Sequence, residues 1–203
     1  MNRSVLVLHV VPLSAFDVNS ALPLAQIAQN FRSFVPTGSS TANGTRINFE
    51  GILKTSNADP QATQHRAYVQ LYRSGIVEAA DSSVAAMHTP TISLLDDKLI
   101  AGTMRYLNDL VAFGVEPPYA VLVSLIGVAG ARLDFERQPQ WGGDLSDPLE
   151  RDQYHLDEVV IEAIPGDKPE CASMIRPILD QAANISGRAT SPIFDAQGRY
   201  IPP

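Results

Sequence analysis

Residues 93–128 read SLLDDKLIAGTMRYLNDLVAFGVEPPYAVLVSLIGV, and this stretch decides the fold class. Ser93 is a good helix N-cap, with Asp96 three residues on and Asp97 beside it at the positive helix end. Leu95, Leu99, Thr103 or Met104, Leu107, and Leu110 or Val111 then recur at helical spacing. Gly114 ends the pattern, and Pro117 and Pro118 forbid its continuation. The spacing predicts a helix over about 94–113, roughly 30 Å long. Directly after it, residues 119–128 carry no polar side chain except Ser124 apart from the opening tyrosine. Such a run predicts a strand buried on both faces at the centre of a sheet.

Working outward, Val5 to Val11 is another continuous apolar run, stopped by Pro12, and both of its faces are expected to be covered. His9 inside it is expected to be a buried histidine with a backbone partner, of chemical interest only beside a carboxylate. Leu24, Ile27, Ala28 and Phe31 suit a short helix. Arg46 to Ser56 reads as one imperfectly alternating strand. Arg66 to Tyr72 and Ile76 to Ala80 form a hairpin closed through Arg73-Ser74-Gly75, where Gly75 supplies the positive φ. His155 to Ile161 reads as a further strand, and Cys171 to Ile185 as a last helix that begins near, or kinks at, Pro177. The whole chain, 1–203, is therefore expected to be a single α+β domain. Its sheet is mainly antiparallel, partly mixed, with about five to seven strands packed against the long helix and a C-terminal helix. Flexible loops are expected at 36–45 and 134–152, and an irregular tail at 187–203 held by Ile193, Phe194 and Tyr200.

Composition narrows the function classes. Apolar residues make up 45% and charged residues 18%, which suits a packed core rather than disorder. The longest strongly apolar run, Tyr119 to Ala131, is too short to span a bilayer, so no membrane role is expected and the cytoplasm is the expected compartment. One cysteine, Cys171, rules out an internal disulfide and a multi-cysteine metal cluster. The net charge of −7 is local: residues 134–170 hold eleven acids against three bases. That stretch would repel a phosphate backbone, so direct nucleic-acid contact by it is not expected.

The chemistry-bearing candidates are thin. His9, His65, His88 and His155 stand in no metal-binding spacing; His155 with Asp157, Glu158 or Asp152 is the best of the acid–histidine groupings. Cys171 near a helix start would have a lowered pKa if the helix dipole acted on it. No serine sits in a nucleophile elbow and no phosphate-binding loop is present. Carboxylate pairs can be assembled from Glu50, Glu78 and Asp81, but any chain with 22 acids allows that. More distinctive is a stripe of period two, Arg66, Tyr68, Gln70 and Tyr72. On one strand face it would line a protein interface or stack bases, unless the long helix covers it. Trp141, between a proline and paired glycines, is a second candidate anchor.

Five phrases recur together in this order: HVVPLSAF (9–16), YVQLYRSGIVEAAD (68–81), GVEPPYAVLVSLIGVAGARL (114–133), RPILDQAAN (176–184) and SPIFDAQGRY (191–200). With them the chain, from about residue 5 to 201, resembles the C-terminal region of bacterial proteins whose N-terminal part is a Schlafen-like, Alba-type domain associated with DNA binding. The resemblance implies that DNA binding belongs to that upstream domain and not to these residues. It carries over no catalytic residue, cofactor or metal.

The expected function is therefore a non-enzymatic interaction or sensor domain, an accessory to a nucleic-acid-related regulatory or defence protein. Arg66, Tyr68, Tyr72 and Trp141 are its candidate contact residues, and no cofactor is expected. The partner would be the upstream domain, another protein or a second copy. Two alternatives remain open: a metal-dependent hydrolase or nuclease using acids with His155, and direct nucleic-acid binding through Arg46, Lys54, Arg66 and Arg73.

Overall fold

The computed structural model describes residues 4–17, 21–30, 34–39, 42, 44–56, 65–84, 91–93, 95–134 and 146–201. Its strands are β1 (Val5–Pro12), β2 (Gly44–Ile47), β3 (Gly51–Thr55), β4 (Ala67–Tyr72), β5 (Val77–Asp81), β6 (Thr91–Ser93), β7 (Tyr119–Ile126), β8 (Arg132–Asp134), β9 (Gln153–His155) and β10 (Val159–Ile161). Its helices are α1 (Leu24–Asn30), α2 (Leu95–Ala112), α3 (Lys168–Met174) and α4 (Arg176–Asn184), with a 3₁₀ turn at Leu13–Phe16.

β1 uses both of its edges, pairing antiparallel with β5 on one side and β7 on the other. β5 and β7 therefore run parallel with β1 between them, and the chain must cross β1 to pass from one to the other. α2 makes that crossing. Gly102 lets it approach the sheet: a Cβ there would lie 3.1 Å from Leu8 Cδ2 and 3.0 Å from Thr37 Oγ1. Leu99, Ile100, Tyr106, Leu107 and Leu110 of α2 and Leu6, Leu8, Val10, Val121 and Val123 of the sheet are all buried in one hydrophobic core. Each such side chain contributes about 2 kcal/mol of burial. α2 ends as the sequence predicts, at Gly114 with φ +79.

Eight strands occupy the main sheet in the order β10-β7-β1-β5-β4-β3-β2, with β9 beside β10 along the same edge of β7. Every pairing in it is antiparallel, and the mixed character is confined to a separate parallel pair, β6 with β8. The main sheet has eight strands where about five to seven were expected. The α+β class, the mainly antiparallel sheet packed against helices and the long helix stand as expected.

Several local expectations do not. β7 lies next to the sheet edge rather than at its centre, and it is covered on one face only: residues 119, 121, 123 and 125 are buried while Leu122 and Ile126 are exposed. β1 alternates in the same way, with Val5, Val7, His9 and Val11 half-buried. A continuous aliphatic run has the same hydropathy whether one face or both are packed, so the pattern could not separate the two. Arg46–Ser56 is a hairpin, not one strand. Asn48 Oδ1 accepts the Gly51 N–H at 2.7 Å, and Gly51 takes φ +157 so close to β4 that a Cβ would lie 2.0 Å from the Leu71 carbonyl oxygen. His155–Ile161 is broken at 156–158, where the Asp157 N–H turns away to the Gln181 side-chain oxygen of α4. The last helix is two, with Pro177 in the first turn of the second, where its missing N–H costs nothing.

The expected loops are partly packed. Pro36 and Thr37 are buried, Thr37 Oγ1 lying 2.9 Å from the Tyr106 hydroxyl, and Ser146 and Leu149 are buried against β8 and the turn before it. In the tail Ile193 and Phe194 are buried, and the Arg176 guanidinium lies 4.7 Å over the Phe194 ring.

Candidate functional site

Directly opposed residues in an antiparallel pair share a face of the sheet. The registers therefore put Val160, Ala120, Leu122, Ser124, Ile126, Val5, Val7, His9, Val11, Glu78, Tyr68 and Gln70 on the same side. The large buried apolar side chains of these strands, among them Leu6, Leu8, Val10, Val69, Leu71, Val121 and Val123, are on the other side, and Gln70 and Ala80 are the buried residues of β4 and β5 on this one. Among the described residues the helices cover that inner face and leave the outer one open. The tyrosine stripe is thus not covered by the long helix. Tyr68, Gln70 and Tyr72 lie on the open face, whereas Arg66 stands just before β4, exposed, with its carbonyl accepting from Ser82.

At the middle of the open face is a three-residue chain that the sequence did not disclose. Glu78 Oε1 accepts the Tyr68 hydroxyl at 2.7 Å, and Glu78 Oε2 lies 3.0 Å from His9 Nε2. The hydrogen bond from His9 is the main reason the Glu78 carboxyl is held below its ordinary range; burial opposes it, and Tyr68 assists. Burial, and then the hydrogen bond to Glu78, raise the Tyr68 hydroxyl; burial, and then the Glu78 charge, raise Tyr72. Both tyrosines are consequently neutral donors at neutral pH. His9 is neither deeply buried nor tied to backbone, as its apolar strand suggested; it is half exposed and has a carboxylate partner. The signal was present in two places, a lone polar residue in VLVLHVVP and another in VEAAD, but only the register makes them neighbours.

Toward β2, Gln70 is buried, accepting from Asn48 Nδ2 at 3.0 Å and donating to the Leu71 carbonyl at 3.1 Å. The β2–β3 and β4–β5 turns enclose an open hollow of about 360 Å³ lined by Phe49, Glu50, Tyr72, Arg73 and Ser74. Arg73 Nε donates to the Phe49 carbonyl at 2.8 Å, which holds the two turns together while the Phe49 ring stands 88% exposed. Toward the opposite edge the face is aliphatic: Leu122 and Ile126 are each 38% exposed and Val160 is 55%.

The other candidates fall elsewhere. Arg46 is exposed on edge strand β2, but its neighbour-by-one across the hairpin, Lys54, points inward and is buried. Burial holds the Lys54 ammonium below its ordinary range, and the charge of Asp109 on α2 partly offsets this. Arg66 and Arg73 sit at opposite ends of β4, about 23 Å apart along the strand. The four bases are not brought together. His155 is on the open face, with Nδ1 2.9 Å from Ser124 Oγ and Nε2 3.0 Å from the Gln153 amide nitrogen. Because the strand breaks after His155, it does not share a face with Asp157. Among the described residues no group of three His, Cys, Asp or Glu side chains converges as a metal site. Cys171 is buried, donating to the Ile100 carbonyl, and burial pushes its thiol up to about 12, opposite to the helix-dipole expectation. Trp141 lies outside the described residues. No helix among the described residues is long and apolar enough to cross a membrane.

The chain matches no protein-family model, no curated protein and no solved structure.

Proposed function

We propose that this chain is a non-enzymatic interaction domain that docks a protein surface through the open face of its sheet. Its setting would be that of an accessory to a nucleic-acid-related regulatory or defence protein, as the sequence resemblance implies. The observation that carries the reading is the one-sided packing: among the described residues α2 and the other helices cover the inner face, while Leu122, Ile126 and Val160 remain exposed on the same face as Tyr68 and Tyr72, with β1 and β5 between β7 and β4. Aromatic and aliphatic side chains with few charges are the composition of interface cores. The tyrosines add large area at low conformational cost.

The test is site-specific photo-crosslinking in cells that produce the protein. A photoreactive residue replaces Tyr72 or Leu122, and a control replaces exposed Ser173 on α3. The two face positions should give discrete crosslinked polypeptides and the control none. Absence of any polypeptide adduct from both face positions refutes the reading.

A further inference from the structure

We infer that the occupant of the open face is a second copy of this chain, packed sheet to sheet. The inference rests on the docking reading above and names its partner. Area is the first argument. Seven strand positions spaced about 4.8 Å apart, the strands three to eight residues long at about 3.3 Å per residue, project to on the order of 500–700 Å². Side-chain relief raises the accessible area above that projection. A standard-size stable interface takes about 800 Å² from each partner, so this face supplies one whole side of such an interface. A single bound peptide segment would cover only a strip of it.

Charge is the second argument. The aliphatic part of the face, Val5, Val7, Val11, Ala120, Leu122, Ser124, Ile126 and Val160, holds no charged side chain, in a chain of net charge −7. Nothing there selects a partner of opposite sign. Further in, the Glu78 carboxylate already has a partner on each oxygen, Tyr68 on one and His9 on the other, so burying it leaves neither oxygen without a hydrogen bond. A face with an uncharged aliphatic part, beside which the one carboxylate is already hydrogen-bonded on both oxygens, is complementary to itself. An identical sheet also brings an identical twist, as aligned sheet packing about 10 Å apart requires. A twofold arrangement then packs Leu122 and Val160 of each copy against the other sheet.

Because the attraction is apolar while both copies are acidic, salt should not weaken it. Screening of the net charges should leave association unchanged or tighten it. The experiment is sedimentation equilibrium of the full chain, with Leu122→Glu and Val160→Lys as separate variants. Both positions are exposed, and circular dichroism melting checks that each variant folds. Expected is a dimer with a dissociation constant of about 10 µM or lower, weakened at least about 10-fold by either substitution. It should be no weaker at about 0.5 M salt than at about 0.05 M. A wild type that stays monomeric at about 100 µM overturns the inference, as does a dimer that both folded variants retain or that salt dissociates. A monomer whose position 122 still crosslinks another polypeptide in cells overturns the second copy and leaves the docking reading standing. A monomer that crosslinks nothing removes both.

Discussion

Replacing Glu78 with glutamine probes the centre of the open face without changing its shape. The carboxylate accepts from the Tyr68 hydroxyl and His9 Nε2, and the two side chains of the Glu78–His9 pair are 25% and 32% exposed. Hydrogen bonds to an ionised acceptor are worth about 1.5–3 kcal/mol each when buried. Water competes at this exposure, and the glutamine oxygen can keep the Tyr68 bond, so the expected loss is about 1–2 kcal/mol. For a chain of this length that lowers the melting temperature by about 3–6 °C. The pH dependence has a definite sign. His9 in the first place holds the Glu78 carboxyl below its ordinary value of 4.5. The native state therefore binds this proton less readily than the unfolded chain. The stabilisation is fully present above the unfolded value and is lost as pH falls through the native one. Tyr68 and Tyr72, both raised, stay protonated throughout that window. Calorimetric melting of wild type and Glu78→Gln at about pH 6 should show the gap, and a series down to about pH 3 should narrow it. Equal melting temperatures at the upper pH, or a gap that persists undiminished at the lower, would refute the reasoning.

Three further outcomes follow from the packing. Gly51→Ala forces a Cβ onto the Leu71 carbonyl at a positive φ, so β3 must shift from β4; urea unfolding should show a loss of about 2–4 kcal/mol, and a loss below about 0.5 kcal/mol would contradict the hairpin geometry. Lys98→Met strips the fully buried Asp81 of its 2.8 Å ammonium partner and should cost about 3 kcal/mol, whereas adding Asp81→Asn should recover part of that loss. Cys171, buried with its thiol pushed up to about 12, should stay unreactive to a thiol reagent at about pH 8 and react completely once the chain is unfolded.

What sequence alone determined was local. The periodicity of Leu95 to Val111, with Gly114 and the two prolines beyond it, specifies a helix and its end within one or two residues. Gly75 specifies the β4–β5 turn, and the clustering of short apolar runs separated by turn residues specifies the α+β class. These signals act between neighbours in the chain, through backbone conformation and side-chain spacing, and need no partner to be read. Where such a signal was overlaid by another it was missed: Phe49 and Ile52 continue the apolar pattern across the turn that Asn48 and Gly51 make.

Tertiary structure alone decided which faces are wet and which side chains meet. Val5–Pro12 and Tyr119–Ile126 are apolar at nearly every position, so hydropathy is blind to the one-sided exposure of these strands, whose alternate residues are buried. Tyr68 and Tyr72 share a face by period two, and that much was legible. Their partnership with Glu78 and His9 was not, because it depends on the pairing of Gln70 with Glu78 and of His9 with Glu78 across 69 residues of chain. Lys54 shows the same dependence in reverse: adjacent in register to Arg46, it turns to the opposite face and is buried there, within reach of the charge of Asp109 on α2. A strand presents successive residues to opposite sides, so a position's chemistry follows from the register and from what covers each side, and both are properties of the assembled sheet.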